Sequence, residues 1–209
     1  MNLIEKIKAA PRLRKIALWL IVPRSHPRPR LGVRLFLNRF YHKRGKRSHI
    51  RFRARLDVFP YHLFNVGSNT IIEDYAVINN GAGDVSIGDN SIIGIGTVII
   101  GPVKMGNGAY TGQHVFMAGF NHGFMDGSKN SRNQPVEIKG QGVILEEDVF
   151  IGSNSVVLAG VTIGKGTQIG AGSVVSHDLP PHCIAAGNPA KVIKQYNFEH
   201  KQWERVDHN

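Results

Sequence analysis

The 209-residue sequence predicts a mainly β protein built as a parallel β-solenoid, and a six-residue repeat is the main support for this fold class. In the second half of the chain an aliphatic residue recurs at every sixth position, and glycine directly follows three of the six. These residues are Leu145, Ile151, Val157, Ile163, Ile169 and Val175. An α-helix repeats its apolar residues every three or four positions and a single strand every two, so neither explains this period. A short repeat with one buried position is typical of stacked coils.

Similar hexads occupy the chain before this region, for example at Val66–Ile71, Ile87–Ile92 and Met105–Tyr110. Three short strands joined by corner residues make one triangular coil, so three hexads predict one turn. The aliphatic residue points inward, while Gly and Asn suit corners that need a positive φ. We therefore predict a solenoid over residues 65–178.

The repeat is interrupted between Met117 and Leu145. The intervening sequence contains Asn121, His122 and Gly123, is polar and is out of phase with the hexads. It predicts an extended loop over residues 118–144. Binding and catalytic groups concentrate on loops held by a rigid scaffold, so this loop is the first candidate for a functional site.

The two ends of the chain lack the repeat. Residues 1–64 predict a basic, partly helical arm. Its first helix covers residues 1–22, is broken by Pro11 and ends at Pro23. A second helix around Leu31–Tyr41, a loop over 42–47 and a strand from Ile50 follow. Residues 179–209 predict a C-terminal cap and tail, with a short helix beginning near Lys194.

The net charge of +11 belongs to the arm. Residues 1–55 contain 17 Lys and Arg and one acid, whereas residues 56–209 contain 9 Lys and Arg and 14 Asp and Glu. Residues 1–55 therefore carry +16, whereas residues 56–209, which include the predicted solenoid, carry −5. Such an arm can contact phospholipid headgroups, a phosphorylated glycan carrier or nucleic acid. Since the solenoid itself is acidic, nucleic acid is not the partner we expect.

The sequence indicates a cytoplasmic protein. The apolar run from Ile16 to Val22 has seven residues, too few to span a bilayer, and no signal-peptide cleavage pattern follows it. The single cysteine, Cys183, excludes an internal disulfide and fits a reducing compartment. Apolar residues share one face of the first predicted helix with basic residues among them. That helix either lies on a membrane surface or packs against its own domain or a neighbouring subunit.

Residues 65–195 resemble the hexapeptide-repeat acyltransferases, and three stretches carry the resemblance best. They are Asp148–Asn154, Ile169–Val175 and Ala186–Lys194. The sequence is most similar to the branch with maltose and galactoside O-acetyltransferases and O-acetyltransferases of bacterial surface polysaccharides. This resemblance implies a left-handed β-helix, acetyl-coenzyme A as acyl donor, no metal, a saccharide acceptor and a homotrimer with active sites between subunits.

In that family a histidine on the extended loop is the general base, and His122 occupies its place. Acetyl transfer to a hydroxyl needs the hydroxyl proton removed, which suits an imidazole that titrates near neutral pH. A backbone N–H of a coil corner can stabilise the oxyanion. Of the ten histidines, His122 alone lies in the loop. Asn121 is a candidate for contacting the substrate, and Asp126 for orienting the imidazole.

The resemblance also implies contacts with acetyl-coenzyme A, chiefly near the C-terminal coils. The candidates are Ser153, Ala171, Ser176, His177, Lys191 and Lys194. The two lysines would serve the phosphates. A coil corner also requires small residues, so Ser153 and Ala171 have a structural explanation as well. Relatives commonly carry Thr-Lys where this chain has Ser176-His177.

Three alternatives remain open from the sequence. One keeps the mechanism but transfers the acetyl group to an amino sugar. The second is a β-helical zinc carbonic anhydrase, for which His114 and His122 are candidate ligands without a clear third. The third is a binding solenoid without catalysis, which predicts an uninterrupted repeat.

Overall fold

The computed structural model describes residues 10–23 and 28–207, and it confirms a parallel β-solenoid. The part of the first predicted helix before residue 10 lies outside the described residues. No helix within these ranges is long and apolar enough to cross a membrane.

The described part of the arm, residues 10–23 and 28–42, contains two helical segments. Helix α1 spans Pro11–Ile21 and starts at the proline, because a first-turn residue needs no N–H for the helix ladder. Pro11 is therefore the first residue of this helix, which ends at Ile21, before Pro23. A π-helical turn at Val33–Leu37 leads into α2 at Asn38–Tyr41, as predicted. The buried Asn38 donates from Nδ2 to the Val58 carbonyl at 2.9 Å, which ties α2 to the solenoid.

Eighteen short strands, numbered in chain order, form three parallel sheets that are the three sides of the prism. Sheet 1 contains β1 (Lys43–Arg44), β4 (Phe64–Val66), β7 (Val85–Ile87), β10 (Val103–Met105), β13 (Val143–Leu145) and β16 (Thr162–Ile163). Sheet 2 contains β2 (His49–Ile50), β5 (Ile71–Ile72), β8 (Ile92–Ile93), β11 (Tyr110–Thr111), β14 (Phe150–Ile151) and β17 (Gln168–Ile169). Sheet 3 contains β3 (Arg55–Asp57), β6 (Val77–Asn79), β9 (Val98–Ile100), β12 (Phe116–Ala118), β15 (Val156–Val157) and β18 (Val174–Val175).

The core is a set of aliphatic stacks inside the prism. In sheet 1 the pairing places Leu145 between Met105 and Ile163, and all three are buried. All six residues that define the hexad period are at most 1% exposed, which confirms their predicted inward position. The corners use left-handed backbone, for example at Asn90, His114 and Asn154, with φ of 56°, 56° and 59°.

The first coil lies before residue 65. Strands β1, β2 and β3 pair in parallel with β4, β5 and β6, so the ladders begin at Lys43. In this coil only Ile50 and Leu56 show the six-residue spacing, and they stand among many basic residues, so the period is short here. Both side chains are partly buried.

The predicted helix in the C-terminal tail is wrong, because the tail is a β-meander. Strand β19 (Cys183–Gly187) extends sheet 2 alongside β17, and β20 (Ala190–Asn197) and β21 (Gln202–Arg205) follow in antiparallel order. The Cys183 thiol is buried under these strands, and burial raises its pKa. This supports a packing role for the cysteine.

Candidate active site

The loop that carries His122 leaves the prism at the corner between sheets 3 and 1. Residues 119–142 lie between β12 and β13. Strand β13 still pairs with β10 in register, Val103 opposite Val143, and β12 pairs with β15. The coils therefore stack as though the loop were absent, and the loop projects from an otherwise regular edge.

The loop is held by its own hydrogen bonds. Asn121 and Glu137 exchange backbone N–H···O bonds of 2.8 and 2.9 Å. The Gln134 side chain accepts from the Asp126 N–H at 2.9 Å and donates to the carbonyls of Asp126 and Lys129, both at 3.0 Å. Gly123 is buried, and a Cβ there would collide with the Pro135 carbonyl. The predicted loop is therefore a closed structure that fixes the backbone around His122.

His122 is exposed, and its ring packs edge-on against Phe120 with the centroids 5.4 Å apart. Within the described part of the chain its imidazole makes no hydrogen bond. Both ring nitrogens are consequently available to a substrate. Asn121 lies beside it in the bridge to Glu137.

Asp126 is engaged within the loop. Its carboxylate accepts from Lys129 Nζ at 2.6 Å, from Ser128 Oγ at 2.6 Å and from the Ser128 N–H at 3.0 Å. The bonds from Lys129 and then Ser128 lower the pKa of Asp126. The expected contact with the His122 imidazole is not among these bonds, so the visible role of Asp126 is to order the loop tip.

Asp126→Ala is expected to make the loop more sensitive to trypsin, with cleavage after Lys129 or Arg132 several times faster than in the wild type. The substitution removes the acceptor that holds Ser128 and Lys129. Local opening of this kind governs proteolysis of a folded protein. The measurement is limited proteolysis followed by mass spectrometry.

Glu147→Ala is the matched control, because it removes an exposed ion pair of similar length, 2.7 Å to Lys165, outside the loop. Its cleavage after Lys129 should equal that of the wild type. Equal cleavage rates in Asp126→Ala and the wild type would contradict the ordering role.

The candidate coenzyme contacts fall into two groups. Ser153 and Ala171 lie in successive coils at the corner between sheets 2 and 3, where the Ser153 carbonyl accepts from the Gly172 N–H at 2.8 Å. Ser176 and His177 follow β18 at the corner between sheets 3 and 1, with Ser176 Oγ 2.9 Å from His177 Nδ1. The first group therefore lies at a different edge from His122, and the second at the same edge.

The two edges are separated by the width of sheet 3. From Ser153 to Leu158, at the next corner, five residues of extended chain span about 16 Å. The two lysines belong to β20, where Lys191 lies opposite Ala186 and Lys194 opposite Ile184, and both are exposed. One protomer thus brings His122, Ser176 and His177 to one edge and holds Ser153 and Ala171 at another.

Two glutamines at the site were not singled out in the sequence. Gln113 donates its N–H to Ser153 Oγ at 3.1 Å and accepts from the same hydroxyl at 2.8 Å. Gln134 links the two halves of the loop. Neither belongs to a recognisable motif, because Gln113 acts on a residue in the next coil and Gln134 acts within an irregular loop.

Within residues 10–23 and 28–207, no three His, Cys, Asp or Glu side chains are grouped so that they could hold a metal ion. His114, a candidate ligand in the carbonic anhydrase alternative, lies at a corner between sheets 2 and 3, whereas His122 lies in the loop beyond sheet 3.

Comparison with known proteins agrees with this architecture. The family model for bacterial transferase hexapeptide (six repeats) matches residues 142–177. The putative lipopolysaccharide biosynthesis O-acetyl transferase WbbJ of Escherichia coli (strain K12) is 32% identical over 166 residues, covering 73% of this chain and 85% of that protein. A tetrahydropyridine-dicarboxylate N-acetyltransferase of Staphylococcus aureus (strain JH9) is 55% identical, but over 53 residues, 25% of this chain and 22% of that enzyme.

Among solved structures, the chain is similar to AntD, an N-acyltransferase from Bacillus cereus. AntD in complex with dTDP and 3-hydroxybutyryl-CoA has a TM-score of 0.65 and 25% identity, covering 78% of this chain and 88% of AntD. A variant of AntD in complex with dTDP-4-amino-4,6-dideoxyglucose and coenzyme A has the same TM-score and identity, covering 78% and 89%. The coil architecture, the matched repeats and the extended similarity to WbbJ agree, and the chain belongs to the hexapeptide-repeat acyltransferases.

Proposed function

We propose that this protein is an acetyl-coenzyme-A-dependent O-acetyltransferase that acetylates a hydroxyl of a sugar or surface-polysaccharide precursor, with His122 as general base. The main support is His122 itself, an exposed imidazole without a hydrogen-bond partner among the described residues, on an ordered loop that projects from a prism edge. The acceptor class follows the similarity to WbbJ, which is named for O-acetyl transfer in lipopolysaccharide biosynthesis.

The chemistry is a direct transfer between two bound substrates. A nitrogen of His122 takes the hydroxyl proton as the oxygen attacks the thioester carbonyl, and a C–O bond forms. The carbonyl oxygen becomes an oxyanion, which a backbone N–H can stabilise. When the C–S bond breaks, the imidazolium returns its proton to the leaving thiolate. The products are the acetyl ester and coenzyme A with a free thiol.

The coenzyme would lie along the edges that carry Ser153 and Ala171 in one protomer and Ser176 and His177 in its neighbour, with Lys191 and Lys194 near the phosphates. A homotrimer brings two different edges of adjacent protomers together. The outward-facing residues of sheet 3 support this assembly, because they are apolar along five coils. The outer face of sheet 1, in contrast, carries Asn65, Ser86 and Lys104. The sheet 3 ladder consists of Val77, Val98, Phe116, Val156 and Val174.

An amino-sugar acceptor is the second candidate. The similarity to AntD, an N-acyltransferase solved with an amino-sugar nucleotide, favours it. His122 would then remove a proton from the attacking amine. The loop and the coenzyme edges serve both acceptors, so the acceptor atom distinguishes the two functions.

The test is a thiol-release assay with acetyl-coenzyme A against hydroxyl sugars, their polymers and nucleotide-linked amino sugars. We expect release with a hydroxyl acceptor and a product that mild alkali hydrolyses, as it does an ester. A product stable to alkali is an amide and would establish the second candidate. If no thiol is released and coenzyme A does not stabilise the protein against heat, the remaining function is that of a binding solenoid without catalysis.

A further inference from the structure

A groove lies between the helical arm and the first coil, far along the chain from the acyl-transfer loop. Its volume is about 850 Å³. Six arginines line it, from the arm and from the first coil: Arg28, Arg34, Arg39, Arg44, Arg51 and Arg53. Like charges gathered in this way repel one another, so an anion in the groove would stabilise the arrangement.

Carboxylates compensate little of this charge. The sequence has no Asp or Glu between residues 6 and 56. Asp57 is 2% exposed and is paired with Arg28 and Arg55 at 3.3 and 2.8 Å. In the described ranges no carboxylate forms an ion pair with Arg34, Arg39 or Arg51. Those three cations face the groove without an acidic partner.

Buried polar atoms at the groove also lack partners. Asn38 is 7% exposed, and its Oδ1 accepts no hydrogen bond from the described residues. Both ring nitrogens of His42 are buried and unpaired there. Burial lowers the pKa of His42. Buried polar groups are normally hydrogen-bonded, so these atoms indicate a polar ligand in the groove.

Large exposed apolar side chains accompany the groove: Leu35 and Phe52 line it, and Phe40 follows Arg39, which also lines it. Phe40 is 79% exposed and Phe52 is 88% exposed, on the arm and the first coil respectively. The helical segments of the arm also carry exposed aliphatic residues: Leu13, Ile16, Leu20, Leu31 and Leu35 are each more than half exposed. A free phosphate needs no such rim, and aliphatic side chains are not platforms for stacking bases. Cations beside exposed aromatic and aliphatic groups match the headgroup region of an anionic bilayer.

We propose that the groove binds the phosphate headgroup of an anionic lipid, and that Phe40, Phe52 and the arm enter the adjoining bilayer interface. The groove is then a membrane-docking site that is distinct from the acyl-transfer site and does not depend on the proposed function. It would hold the solenoid, whose own charge is negative, beside a negatively charged membrane.

Flotation of the full chain with vesicles tests the proposal. We expect binding to vesicles of phosphatidylcholine with phosphatidylglycerol and none to phosphatidylcholine alone. The variant Arg34→Gln, Arg39→Gln, Arg51→Gln should bind about a hundredfold more weakly, since each cation near an anionic surface contributes a factor of about five. Phe40→Ser with Phe52→Ser should lose binding severalfold without any change of charge.

The matched control is Lys104→Gln, Lys139→Gln, Lys201→Gln, which removes three exposed charges away from the groove. It should bind as the wild type does. An equal loss in the control would mean that net charge alone drives binding, and would overturn the proposal. Thermal stabilisation by inorganic phosphate but not by chloride at equal ionic strength, together with no binding to either kind of vesicle, would make the groove a free-phosphate site and would overturn it too.

Sedimentation without vesicles tests the remaining candidate occupant of the groove, which is a second copy of this chain. The groove variants should keep the wild-type assembly and a melting temperature no lower than that of the wild type. A smaller assembly in those variants would make the surface an interface between copies and would overturn membrane docking.

Discussion

His122→Ala is expected to lower kcat for acetyl transfer by about 10²- to 10⁴-fold, the usual contribution of a positioned general base. The loss follows from chemistry, because the hydroxyl proton then has no acceptor as attack begins. Stability should not change, since the side chain is exposed and packs only edge-on against the Phe120 ring, without a hydrogen bond in the described residues. The measurement is steady-state thiol release with the acceptor found in the screen, alongside a thermal melt.

His49→Ala is the matched control, because His49 is also exposed but lies in the first coil. It should retain the wild-type rate. Coenzyme A should bind His122→Ala as it binds the wild type, so that the defect appears in kcat. A fall of less than about threefold in kcat would remove His122 from the role of base, even if the fold and the acyl donor were correct.

Leu145→Ala is expected to lower the free energy of unfolding by about 2–5 kcal/mol, the range for truncating a fully buried leucine. Leu145 is 1% exposed and stacks between Met105 and Ile163 in successive coils. Neighbouring coils cannot close the resulting cavity without shifting a hydrogen-bonded ladder. The measurement is denaturant unfolding at one fixed protein concentration, because any assembly makes stability concentration-dependent.

Ile144→Ala is the control from the same strand. Ile144 points to the outer face of sheet 1 and is only half-buried. Its truncation should cost roughly 1 kcal/mol or less. Equal destabilisation by the two substitutions would contradict the inward stacking of the hexad residues.

The sequence predicts the regular coils well because one local rule governs each of them. An inward aliphatic residue at every sixth position is both a sequence pattern and the condition for stacking, so Ile151, Ile163 and Ile169 could be placed directly. The C-terminal tail follows no such rule. Strand β20 forms because β19 offers it an antiparallel partner, and strand formation depends on such partners more than on local composition.

For the candidate site, too, the sequence predicts the local features and misses those that depend on distant partners. The break in the repeat locates His122 on its loop, but it does not reveal the backbone bridge between Asn121 and Glu137 that closes the loop. Likewise, the separation of Ser153 from Ser176 depends on which corner each residue occupies. Those relations join residues distant in sequence, and no spacing in the chain expresses them.

The register of β13 against β10 shows that the segment between Gly119 and Gly142 is independent of the scaffold that carries it. A corner insertion changes no ladder, and lengthening it costs only the slow growth of loop-closure entropy, about 0.6 kcal/mol for each doubling. The segment is therefore an exchangeable module. Evolution, or a designer, can lengthen or rebuild the segment around His122 while the stacked coils and the edges proposed for the acyl donor stay as they are.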